Sequence, residues 1–80
     1  MKRDDVLKLV RQRPFKPFRI TTSGGESIDI VKQGMVLVGE TDINIGLPHP
    51  ERPFPAVRNV IWLGLADIVR AEELRSAPAA

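Results

Sequence analysis

Lys8, Arg11, Arg13, Lys16 and Arg19 stand at short intervals near the start of the chain, with Phe15 and Phe18 between them. Basic side chains neutralise phosphates and aromatic rings stack on bases, so this interleaving suits RNA or another anionic partner. The two phenylalanines equally suit a helix–sheet junction, where so small a core has no aromatic to spare. Elsewhere the chemistry is sparse. His49 is the sole histidine, set between Pro48 and Pro50. With no nucleophile or paired carboxylates to support it, it reads as a loop residue rather than an acid–base catalyst. One histidine and no cysteine supply neither a transition-metal site nor a disulfide. Arg11, Pro14 and Pro17 match the spacing of a polyproline ligand, but these prolines flank a phenylalanine needed for packing. Gly24-Gly25 lacks the following helix that a phosphate loop requires, and so reads as a turn. No catalytic, cofactor or metal residue is assigned, and the chain reads as a non-enzyme.

Eighty residues hold one hydrophobic core, and a domain this small hides only about 60% of its unfolded surface. Its stability is thin, and with disulfide and metal ruled out a partner chain is the remaining support. The apolar runs, Val6–Val10 and Val60–Ala66, are too short to span a bilayer or to form a signal-peptide core, so a cytoplasmic chain with no membrane contact is expected. The net charge is +2, but it is unevenly spread. Residues 2–19 carry seven bases against Asp4 and Asp5, while the rest carries five bases against eight acids. Such asymmetry suits an anionic partner, or attraction between the two ends of the molecule or between neighbouring copies.

The elements that would position these residues follow from periodicity. Residues 4–12 predict a short amphipathic helix with Val6, Leu7, Leu9 and Val10 on one stripe and Asp4 and Asp5 at its start. Pro14 ends it. Phe18 and Ile20, then Ile28 and Ile30, alternate with polar residues on either side of Gly24-Gly25. A three-residue loop, Ser23-Gly24-Gly25, pairs Ile20 with Ile28 and Phe18 with Ile30 on one face, whereas a two-residue loop would set them on opposite faces. A second hairpin pairs Val38 with Ile43 and Val36 with Ile45 across residues 39–42, and Gly34 bends the chain between the hairpins. Pro48, Pro50, Pro53 and Pro55 make residues 48–55 a stiff excursion. Val57–Leu63 predicts a strand apolar on both faces, Val60 and Trp62 on one and Ile61 and Leu63 on the other, so both faces call for cover. Residues 65–74 suit a last short strand over a helix, and residues 76–80 a frayed tail behind one domain over 1–75.

Helix followed by a bent antiparallel meander is the order of an Sm-like or SH3-like small barrel. Ile20–Ile28 resembles the first hairpin of the Sm-like family, and Leu63–Val69 is similar to its closing segment. The opening helix with Pro14-Phe15-Lys16-Pro17-Phe18-Arg19, and the excursion Gly46-Leu47-Pro48-His49-Pro50, resemble a family of short uncharacterised bacterial proteins, which implies no activity. The Sm-like family reads RNA partly through an Asp and an Asn in its second and third strands. Here residues 31–37 contain no acid, and Asn44 stands in the next strand without that partner.

The expected fold is therefore α+β and mostly β, a short N-terminal helix before a strongly bent four- to five-stranded antiparallel meander. The expected function is a binding or assembly module that forms a homo-oligomer through Ile61, Trp62 and Leu63. The alternative is an RNA-binding protein using Lys8, Arg11, Arg13, Lys16 and Arg19. The expected core is Phe18, Ile20, Ile28, Ile30, Val36, Val38, Ile43, Ile45 and Trp62.

Overall fold

The computed structural model describes residues 1–74, and the expected tail and the end of the domain at residue 75 lie outside them. Helix α1 (Arg3–Val10) precedes six strands: β1 (Phe18–Thr22), β2 (Ser27–Ile30), β3 (Val36–Val38), β4 (Asp42–Pro48), β5 (Val57–Gly64) and β6 (Ile68–Glu73). They form two antiparallel sheets, ordered β2-β1-β6 and β3-β4-β5. The chain is mostly β as expected, but it has six strands, and the two sheets are not joined into a closed barrel. Nor is it a simple meander, because β6 returns to pair with β1.

Helix α1 ends two residues earlier than its hydrophobic pattern allows. The Arg11 N–H donates to the Leu7 carbonyl at 2.9 Å, and Arg11 already leaves helical geometry (φ −90°, ψ 2°). Asp4 and Asp5 lie inside the first turn rather than capping it, where they still meet the positive end of the helix dipole. Val6 is fully buried, while Leu7, Leu9 and Val10 are half-buried. A helix of eight residues is marginal alone, and this packing is what holds it. The Met1 amine donates to the carbonyls of Leu65 and Ile68 at 3.0 and 3.2 Å, linking the start of the helix to the turn before β6.

Both hairpin registers match the alternation. Phe18 faces Ile30 and Ile20 faces Ile28. The Gly25 N–H donates to the Thr22 carbonyl at 3.0 Å and the Thr22 N–H to the Glu26 carbonyl at 2.9 Å, which closes the three-residue loop. Gly25 has φ 86°, a conformation that side-chain-bearing residues resist. In the second hairpin Val36 faces Ile45 and Val38 faces Ile43. The ladder ends at Val38 and Ile43, as the four-residue loop requires, and within that loop the Gly39 N–H donates to the Asp42 carbonyl at 2.8 Å. Between the hairpins the chain leaves the first sheet through a turn over Lys32–Met35, with Gly34 at φ 95°. That bend carries it to the second sheet.

The core lies between the inner sides of the two sheets. Phe18, Ile20 and Ile30 come from the first sheet, Val36, Ile43 and Ile45 from the second, joined by Val6, Met35, Leu65 and Ile68. Ile28 and Val38 are only half-buried, whereas Ile30 and Val36 on the same edge strands β2 and β3 are buried. Trp62 departs furthest from expectation. It is 71% exposed and stands outside the core. Residues 65–74 form a 3-10 turn (Leu65–Asp67) and then β6, the strand preferred over a helix. Because this segment pairs with β1, it does not lie over the Trp62 side of β5.

Candidate functional site

Alternation along β3, β4 and β5 sorts each strand into a buried and an outward set. Inward, Val36 lines up with Ile45 and Ile61, and Val38 with Ile43 and Leu63. Outward, Leu37 lines up with Asn44 and Trp62, and Gly46 with Val60 in the next row. Leu37 is 68% exposed and Val60 45%, so with Trp62 they form an apolar face on the outside of the second sheet. The expected contact residues therefore divide. Trp62 faces out, whereas Ile61 and Leu63 are half-buried and pack against the core.

The proline-rich excursion shapes this face. It leaves β4 at Pro48 and returns at Val57, with the His49 N–H donating to the Ala56 carbonyl at 3.3 Å. The ladder thus tolerates Pro48 at its end, beside a register shift after Leu47. His49 is occupied locally, its Nδ1 accepting the Glu51 N–H at 3.0 Å. Phe54 folds back over Gly34, and the Lys32 ammonium lies 5.7 Å from the centre of its ring. Phe54, Pro55, Val57 and Val60 then wall a groove of about 190 Å³ with Asn44 and Gly46 among its lining. The Asn44 Oδ1 is enclosed and accepts no hydrogen bond among the described residues.

The basic residues do not act as one group. Lys8, Arg11, Arg13 and Lys16 are exposed, and none of the four enters an ion pair among the described residues. Arg19 is committed elsewhere. It lies across from Asp29 on β2 and Glu72 on β6, and its Nε donates to Asp29 Oδ1 at 2.7 Å and its Nη2 to Asp29 Oδ2 at 3.2 Å. This forked hydrogen bond, with the added attraction of the opposite charges, raises the Arg19 pKa and holds the Asp29 carboxyl below the ordinary carboxylate range. A shallow depression at the helix is lined by Asp4, Leu7, Lys8 and Arg11 and so carries an acid among its bases. No group of three metal-ligating side chains occurs among the described residues, and no helix among them is long and apolar enough to cross a membrane.

Sequence reasoning singled out Trp62 but missed the groove beside it. The signal for Leu37 and Asn44 was present, since each sits between two inward residues of its strand. Phe54 gave no comparable signal, because a proline-rich loop carries no periodicity from which its direction can be read. The chain matches no protein-family model, no curated protein and no solved structure.

Proposed function

We propose that this chain is a non-enzymatic binding or assembly module of small-barrel type that associates with copies of itself. The observation that carries this reading is the outward row Leu37–Asn44–Trp62, where an exposed tryptophan and an exposed leucine flank an asparagine on one sheet face. Contiguous exposed apolar surface of this kind marks interaction sites. Tryptophan is also the residue type most enriched where interfaces gain their affinity. The return of β6 to β1 supports the small-barrel resemblance, since it brings the first and last described strands into one sheet. Sedimentation or light scattering over a dilution series tests the assembly. The mass should rise above that of one 80-residue chain at micromolar concentration, and Trp62→Ala should return it to one chain while leaving thermal stability nearly unchanged. A single-chain mass at every concentration defeats the reading.

A second reading rests on the four exposed bases that form no ion pair among the described residues, Lys8, Arg11, Arg13 and Lys16. If they hold RNA, affinity should fall steeply with salt, and the double reversal Arg11→Glu and Lys16→Glu should abolish binding without unfolding the protein. Undetectable binding of single-stranded RNA at low salt removes this alternative.

A further inference from the structure

Strand β5 is the longest of the described strands, eight residues without a proline or a lysine, and it forms one edge of the second sheet. An edge strand carries a row of backbone donors and acceptors on its free flank, which natural proteins ordinarily blunt. Which residues of β5 supply that row follows from the ladder. The Leu65 N–H donates to the Thr41 carbonyl, and counting back in twos makes Leu63, Ile61 and Asn59 the residues bonded to β4. Val60, Trp62 and Gly64 therefore direct their N–H and C=O groups to the free flank. Two further bonds agree. The Gly46 N–H, opposite Val60, turns away from β5 to the Met35 carbonyl at 2.8 Å, and the Val60 N–H is met at 2.9 Å by the neighbouring Asn59 side chain. The ends of this flank carry opposite charges. Arg58 is exposed at one end, beside the register shift, and has no partner on β4. At the other end the exposed Asp67 carboxylate lies over Gly64, its Oδ2 3.1 Å from the position a Cβ would take. Neither Arg58 nor Asp67 enters an ion pair among the described residues.

We propose that β5 pairs antiparallel with β5 of a second copy about a two-fold axis through Ile61, joining the second sheets of the two copies into one. This rests on the self-association reading and specifies its contact. In this register Val60 stands opposite the second copy's Trp62, and the two exchange N–H···O=C bonds, displacing the Asn59 side chain. Valine and tryptophan then form a cross-strand pair on the outward face. Arg58 falls opposite the second copy's Gly64 and so beside its Asp67, and symmetry repeats the contact. Charge selects this register over its neighbours. An axis through Val60 would set Arg58 opposite Trp62, away from Asp67, and an axis through Trp62 would carry Arg58 past the end of β5. An axis between two residues would pair outward side chains with inward ones and put the free donors out of phase.

Val60→Pro tests the flank, because its ring removes an N–H that β4 does not use. An edge position accepts that change, so the thermal transition should persist while association falls more than tenfold. Arg58→Glu and Asp67→Arg should each weaken association at least threefold, by setting like charges opposite one another. Combining them exchanges the charges and should recover most of the loss, a test that serves even if Val60→Pro unfolds. Amide hydrogen exchange of the full chain should show Val60 and Trp62 gaining protection as concentration and mass rise, with Ile61 protected throughout. A rise in mass with the Val60 and Trp62 amides still exchanging freely overturns the strand pairing and leaves self-association standing. So does undiminished association of a folded Val60→Pro chain, or losses from the two charge reversals that add instead of cancelling. A single-chain mass throughout overturns both.

Discussion

Phe18→Ala should destabilise the fold by about 3–5 kcal/mol, read as a lower urea midpoint at unchanged slope. Phe18 is wholly buried at the first position of β1, and its ring meets Phe15 edge to face, with centroids 6.1 Å apart and planes at 61°. Removing the ring opens a cavity and also ends that aromatic pair, itself worth about 0.5–1.5 kcal/mol. The total stability of an 80-residue domain is about 4–12 kcal/mol, so this one substitution removes a large part of it. A loss below about 1 kcal/mol would mean that the two phenylalanines are not core anchors. Their availability for stacking on bases would then have to be reconsidered.

The second large effect tests the register of the first hairpin. Ile30 is 1% exposed, facing Phe18 across the ladder, while its neighbour Val31 is 50% exposed where the chain leaves the sheet. Ile30→Ala should cost about 2–5 kcal/mol, because the packed core around it cannot collapse fully into the space left. Val31→Ala should change stability by less than about half a kcal/mol. A large cost at Val31 with a small one at Ile30 would show that the strand is slipped by one residue, since a single-residue shift exchanges the two faces.

The strands and their pairing were legible because a period of two over four or more residues leaves one register that buries the isoleucines together. The same rule placed Ile61 and Leu63 opposite Val60 and Trp62 correctly. What alternation could not reveal was which face of β5 the rest of the chain would cover. That depends on how few side chains α1 offers, one fully buried valine and three half-buried neighbours, and on β6 choosing β1 as its partner. Trp62 was therefore expected in the core on apolar character alone. The candidate site was half visible. Its tryptophan was singled out from the apolar run of β5, but the wall formed by Phe54 comes from a loop closing over a bend at Gly34, a contact between residues far apart in sequence. Arg19 was grouped with the other bases by proximity along the chain, although strand pairing had already set it between two acids.

The pairing of β1 with β6 also governs the order of events in folding. Each hairpin closes from neighbouring residues and forms early, within microseconds for an isolated hairpin. The middle strand of the first sheet, however, has one of its two partners at the far end of the described chain, with Phe18 opposite Glu73 and the Leu74 N–H donating to the Pro17 carbonyl at 2.9 Å. That ladder must close a loop containing nearly every other element before it gains anything in return, the topology that slows folding in β-rich domains. During synthesis β1 emerges long before β6 exists, so its free flank stays open until the end. The last of the described strands completes the first sheet begun.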